Sequence, residues 1–174
     1  MNTFARRLPS RLSPLLLILL LACASPGPEN AGTPHDTGPS LIASGAKVAS
    51  VKVRREDSLV GADTFERYTI ADRLQREVVS ALSANGHYSS GGELELLVTV
   101  VNFRLRSGAS AFWLGVMAGA DRLGVEVTVL RGEEVVKTYE TDTSTALGGA
   151  FYTSPTKRSE RMIDTLAERI VSGL

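Results

Sequence analysis

The sequence predicts an α+β domain with the element order β-α-β-β-β-α, in which two helices pack on one face of a mainly antiparallel sheet. Three observations lead to this fold class. Two stretches carry apolar residues every three or four positions, several others alternate apolar with polar residues, and the polar turn Arg131-Gly132-Glu133 joins two of the alternating stretches.

The first two elements are a strand over residues 47–54 and a helix over residues 64–84. Asp63 and Glu66 have the spacing of a capping box at the start of the helix, and Asn85-Gly86 supplies a left-handed signal at its end. The apolar positions of the helix recur at helical spacing: Tyr68, Ala71, Leu74, Val78, Ala81 and Leu82.

Three strands and a helix follow. Residues 93–106 form a long β-branched run whose apolar positions change face near Val100, which predicts either a bulge or a central strand covered on both sides. Residues 123–130 and 134–143 form an antiparallel hairpin. Thr153 or Ser154 caps the last helix ahead of Pro155, and its buried stripe consists of Met162, Ile163, Leu166, Ile170 and Val171.

The N-terminus has the pattern of a lipoprotein signal. Arginines 6, 7 and 11 precede an unbroken Leu and Ile run over residues 15–21, and Leu20-Leu21-Ala22-Cys23 resembles the lipobox of bacterial lipoproteins. The resemblance implies cleavage after residue 22, diacylglycerol on the thiol of Cys23 and an acyl chain on its amine. An ordinary secretory signal and a retained membrane span are the alternatives, but the run is short for a span and Pro14 interrupts its start.

The domain organisation follows from this leader. Residues 1–22 are the predicted signal peptide, residues 23–46 the lipidated cysteine with a disordered tether rich in Pro, Gly and Ser, and residues 47–174 a single periplasmic α+β domain. Ala24 occupies the position at which Asp favours retention in the inner membrane in enteric bacteria. The resemblance therefore implies the outer membrane, with the domain facing the periplasm.

Composition narrows the possible functions. The 19 Lys and Arg balance the 19 Asp and Glu, and the leader contains three of the arginines and no acidic residue, so the mature chain is mildly acidic. This charge disfavours a nucleic-acid partner. Lipid on Cys23, the only cysteine, leaves no thiol for a disulfide or a metal. Because His35 and His87 lie in loops and Glu133-Glu134 reads as a polar turn, we expect no catalytic residue, metal or further cofactor.

Two groups of residues are candidate interaction sites. The uncharged segment 107–120 contains the only Trp, and it can be core, a protein interface or a loop that enters the bilayer. Its large apolar residues are Phe112, Trp113, Leu114, Val116 and Met117. Arg104 and Arg106 are predicted to share a strand face, where they could contact an anion or, as is more common, extend their charged ends into water at a sheet edge.

From Glu93 onwards the sequence resembles a domain of unknown function found in small bacterial lipoproteins. The residues that carry the resemblance are Arg104-Leu105-Arg106, the Gly and Ala-rich segment after them, the strand 125–130 and Gly148-Gly149. The element order also resembles the N-terminal domain of TolB and the periplasmic domains of the curli-secretion lipoprotein and of lipoprotein activators of penicillin-binding proteins. The resemblance implies a periplasmic α+β fold.

These observations leave two functional hypotheses. The first is a non-enzymatic, outer-membrane-anchored periplasmic lipoprotein that binds or helps to assemble another envelope protein, with oligomerisation possible. The alternative is a ligand-binding or hydrolytic accessory protein that acts on envelope material. An exposed apolar patch favours the first hypothesis, and a pocket with converging polar groups favours the second.

Overall fold

A computed structural model describes residues 40–106, 120–145 and 154–174 of the chain. The predicted signal peptide, Cys23 and residues 107–119 lie outside the described residues. Within them, a 3₁₀ turn at Ile42–Ser44 precedes three helices and four strands. These are β1 (Val48–Arg55), α1 (Ala62–Arg67), α2 (Ile70–Ala84), β2 (Leu94–Arg104), β3 (Asp121–Arg131), β4 (Glu134–Thr145) and α3 (Pro155–Ser172).

The four strands form one sheet in the order β1-β2-β3-β4. β1 and β2 are parallel because the helical crossover through α1 and α2 separates them, whereas β2 with β3 and β3 with β4 are antiparallel. α2 packs on β1 and on α3, and α3 packs on β3 and β4. The predicted α+β class, with helices on one face of a mainly antiparallel sheet, is confirmed.

A bulge in β2 explains the change of face that the sequence shows near Val100. The pairing register of β2 with β3 shifts between Val100 and Asn102, and exposed Val101 is the extra residue. Before the bulge Leu94, Leu96, Val98 and Val100 face the helices, and after it Phe103 does so. The bulge alternative of the prediction is therefore the correct one.

The predicted helix over residues 64–84 is wrong in one respect, because the chain breaks it at Thr69. Thr69 has a left-handed backbone with φ 48°, which is strained for a β-branched residue. In one continuous helix Phe65 would lie about 140° around the axis from Ile70, so both could not face the sheet. The break allows both to be buried, and Phe65 packs edge-to-face on Phe103 with ring centroids 5.7 Å apart.

The predicted capping box at the start of this helix is also wrong. α1 begins after Gly61, whose φ is 88°, and no side chain caps it. Glu66 instead accepts a hydrogen bond at 3.0 Å from Nε of Arg55. At the other end of the pair, Gly86 has φ 70° and its N–H donates to the carbonyl of Ser83, as the Asn85-Gly86 signal predicts.

The packed part of the chain begins earlier than residue 47. The N–H of Leu41 donates to the carbonyl of Leu174, Ala46 is buried, and Leu41 and Ile42 pack against the core. The predicted tether, residues 23–46, includes this stretch, although the composition that indicates disorder is concentrated before residue 41. We call the end of the sheet where Val48 pairs with Leu94 the tether end, because His87, which bonds to Val48 there, lines the same surface depression as Ile42.

Candidate functional site: a buried cluster of two arginines and an aspartate

Four elements meet at the end of the sheet opposite the tether end. β2 ends two residues before Arg106, β3 begins at Asp121, β4 ends at Thr145, and α3 brings Arg158 in from its first turns. We call this group of four residues the arginine end. The side chains of Arg106, Arg158 and Asp121 are only 4%, 3% and 0% exposed.

Asp121 is the centre of the cluster. Its Oδ1 accepts hydrogen bonds from the backbone N–H of Arg106 at 2.8 Å and from Nε of the same residue at 3.1 Å. Its Oδ2 accepts from Nε of Arg158 at 2.8 Å and from the hydroxyl of Thr145 at 3.5 Å. Because both carboxylate oxygens already accept charged donors, Asp121 is suited to holding the arginines rather than to removing a proton.

The two arginines are also joined directly. Nη2 of Arg158 donates to the carbonyl oxygen of Arg106, so α3 is attached both to the side chain of Asp121 and to the backbone that follows β2. Three structural elements therefore depend on one buried carboxylate. Removing it would leave two buried guanidinium groups without their common counter-charge.

The cluster is incomplete as a hydrogen-bonding network. Nη1 and Nη2 of Arg106 are buried and have no hydrogen-bond partner among the described residues. In the ion pairs of the cluster, two guanidinium groups share one carboxylate. Unsatisfied donors of a buried charged group are unusual in folded proteins and call for an explanation.

Of the two predicted anion-contacting arginines, the structure places only Arg106 in this cluster. Arg104 ends β2 with an exposed side chain and pairs in register with Arg122. The prediction that both share a strand face is wrong, because β2 ends at Arg104 and Arg106, which lies beyond it, is buried whereas Arg104 is exposed. Whether Arg106 contacts an anion stays a prediction.

Two members of the cluster are absent from the predicted site, although the sequence contains a signal for each. Arg158 is four residues before Met162, so it lies in the buried stripe of α3. Asp121 is two residues before Leu123 and four before Val125, so it lies in the inward phase of β3. A charge in phase with a buried stripe indicates a buried ion pair.

The remaining candidates lie elsewhere or outside the described residues. Cys23, His35 and the apolar residues 112–114, 116 and 117 are among the residues that the structure does not describe. His87 borders a shallow depression of ≈ 380 Å³ between the ends of α2 and α3. Glu133 and Glu134 are exposed at the β3–β4 turn.

Two searches of the described ranges add to this picture. No group of three or more His, Cys, Asp or Glu residues in residues 40–106, 120–145 and 154–174 could hold a metal ion. Nor do these ranges contain a helix of the length and apolar character needed to cross a membrane.

Comparison with known proteins finds similarity of structure but not of sequence. No family model and no curated protein matches the chain. The PelC dodecamer from Paraburkholderia phytofirmans has 17% identity and a TM-score of 0.49, covering 79% of this chain and 98% of that one. A protein of family DUF330 from Xanthomonas campestris has 12% identity and a TM-score of 0.48, covering 72% and 81%.

A third similar structure is a minor lipoprotein from Acinetobacter baumannii, with 14% identity, a TM-score of 0.39, and coverage of 71% of this chain and 90% of that one. Similarity at these identities concerns the fold alone.

Proposed function

We propose that this chain is an outer-membrane lipoprotein whose tethered domain binds another envelope protein without catalysing a reaction. The observation that carries the proposal is Cys23, the only cysteine, which directly follows Ala22 and the Leu and Ile run. Lipid chains on that residue would anchor the protein stably, since each buried methylene contributes about 0.8 kcal/mol. Ala24 supports sorting to the outer membrane.

The position of the tether relative to the arginine end supports a binding role away from the membrane. The chain enters the domain at Leu41, at the tether end. β3 runs the length of the sheet between the two ends, and its 11 residues span roughly 35 Å at ~3.3 Å per residue. A domain held in this way presents its arginine end and its sheet to the periplasm.

The face of the sheet opposite the helices supports a protein partner. Among the described residues, α2 and α3 pack on the other face, and no element covers this one. Leu97 and Leu130 lie on it half-buried, and Val101 is 40% exposed. Apolar side chains on an uncovered sheet face favour contact with another protein, because such contact removes them from water.

Lipid labelling tests the anchor. Cells that express the full chain are grown with a fatty-acid probe, and the protein is recovered and examined for label. We expect the wild-type chain to be labelled and the Cys23→Ser chain to stay unlabelled as a larger precursor, because no other thiol can accept lipid. An unlabelled wild-type chain, or equal labelling of both chains, would contradict the anchor.

Site-specific crosslinking tests the binding role. A photo-reactive residue is placed at Thr138, exposed on the uncovered sheet face, or at Glu77, exposed on α2 as the matched control. We expect a discrete adduct with an envelope protein from position 138 and none from position 77. Adducts at twice the mass of the chain would indicate self-association instead, and identical patterns from both positions would refute the assignment of this face.

A further inference from the structure

The unsatisfied nitrogens of Arg106 have a geometry that a ligand can use. The side of the guanidinium that carries Nε is occupied by Asp121, at 3.1 Å from Oδ1. The end of the group that carries Nη1 and Nη2 has no acceptor in the part of the chain that the structure describes. A guanidinium presents two parallel N–H donors along this end, which matches the two oxygens of an oxyanion.

The charge of the cluster selects among oxyanions. In its ion pairs two guanidinium groups share one carboxylate, so one further negative charge would balance these three groups. A carboxylate supplies one charge, whereas phosphate carries about 1.5 to 2 near neutral pH, as in phosphorylated side chains. Because excess charge of either sign is costly where water is excluded, a singly charged anion fits best.

We propose that the Nη1 and Nη2 end of Arg106 is a binding site for a carboxylate, with Asp121 and Arg158 as the residues that position it. This inference goes beyond the proposed function, because it concerns the folded domain whether or not Cys23 carries lipid. Asp121 orients the guanidinium through Nε. Arg158 holds the backbone carbonyl of Arg106 and adds the second positive charge.

The site is built from the fold rather than from mobile surface groups. Each of the three charged side chains is more than nine-tenths buried, and they come from three separate elements. The bound carboxylate would accept hydrogen bonds that the domain itself leaves unmade. Binding therefore satisfies donors that are unpaired in the folded state. Because the ligand binds the folded state, it should stabilise the domain against unfolding.

Thermal unfolding of the purified full chain in detergent, followed by circular dichroism, provides the test. Acetate is the probe because a buried site admits a small anion most readily, and chloride at equal ionic strength is the control. We expect the unfolding midpoint to rise with acetate concentration and to reach a plateau. Phosphate should produce a smaller rise at equal concentration.

Two variants test whether acetate binds at Nη1 and Nη2 of Arg106. Arg106→Lys keeps the charge but removes the paired donors, and we expect at least a tenfold loss of affinity for acetate. Arg104→Lys makes the same change two residues away on an exposed side chain, and it should leave acetate affinity unchanged.

If Arg106→Lys does not fold, titration calorimetry of the wild-type chain with acetate still tests the proposal, because it measures acetate binding directly. No saturable acetate binding to the wild-type chain, or equal loss of affinity in the Arg104→Lys chain, would overturn the proposal. Stronger binding of phosphate than of acetate would overturn the selection of a carboxylate. Because none of these measurements depends on lipid, their failure is distinguishable from failure of the proposed anchor.

Discussion

The two ends of the sheet are closed by different kinds of interaction. At the tether end, backbone groups bond to one another: the N–H of Leu41 to the carbonyl of Leu174, and the N–H of Val48 to the carbonyl of His87. At the arginine end, the closing contacts are buried ion pairs around Asp121. Each end has unsatisfied polar atoms among the described residues, but they differ in kind: near the tether end it is the neutral hydroxyl of Ser50, whereas at the arginine end it is two donors of the charged Arg106.

This difference shows that the fold can close an end of the sheet without burying charged side chains, so buried charges at the other end call for a separate explanation. Backbone bonds and apolar contacts close the tether end without burying charge. Burying three charged groups costs desolvation free energy that apolar residues would not cost. The chain bears that cost at one end only of the described sheet, which is why we place the ligand site there. Substitutions at each end sharpen the contrast.

The largest effect is expected at the arginine end. Asp121→Asn should lower the free energy of unfolding by about 3 to 5 kcal/mol, because it leaves two buried guanidinium groups without their shared counter-charge. Asp164→Asn is the matched control, since Asp164 is exposed on α3, and it should change stability by less than about 0.5 kcal/mol. Urea unfolding measures both, and equal values would mean that the cluster is not structural.

At the tether end, the sensitive position is a glycine rather than a charge. A Cβ on Gly92 would lie 2.4 Å from the carbonyl oxygen of Lys47, whereas a Cβ on Gly91 meets nothing within 4 Å. Gly92→Ala should therefore lower the free energy of unfolding by about 1 to 3 kcal/mol. Gly91→Ala should have little effect. If chemical denaturation shows both to be neutral, the strands at this end are less closely packed than described.

The smallest effect belongs to Tyr139, between the two ends. Its hydroxyl donates to the carbonyl of Ile170 at 2.5 Å, which is otherwise an open acceptor in the last turn of α3. Tyr139→Phe should cost about 0.5 to 1.5 kcal/mol at neutral pH. Thr138→Val is the control, because it removes a hydroxyl at an exposed position of the same strand and keeps the branched shape of the side chain.

The cost of Tyr139→Phe should also depend on pH. Burial raises the pKa of Tyr139 above its ordinary value of 10.0, so the folded state favours the protonated phenol. Its stabilising contribution is complete below pH 10 and is lost as the pH rises from there towards the raised pKa. Unfolding curves of the two chains should converge above pH 10, and a constant difference between them up to pH 11 would contradict this account.

Neighbouring Gly173 shows how little of this packing a sequence pattern can reveal. A Cβ on Gly173 would lie 2.5 Å from the ring of Tyr139, although its φ of −80° is open to any residue. The sequence suggests an ordinary helix end at this position. Only the approach of β4, 34 positions earlier in the chain, makes the absence of a side chain necessary.

The sequence by itself determined those features that depend on the apolar pattern within a single helix or strand. The order of strands and helices, the change of face near Val100 and the C-terminal signal at Asn85-Gly86 follow from such local patterns, whereas the pairing of β2 with β3 decided that the change of face is a bulge. The tertiary structure decided the break at Thr69, because Phe65 and Ile70 must both reach one sheet. It also decided the meeting of Arg106, Asp121 and Arg158, since ion pairing depends on distance in space, which a pattern within one element does not encode.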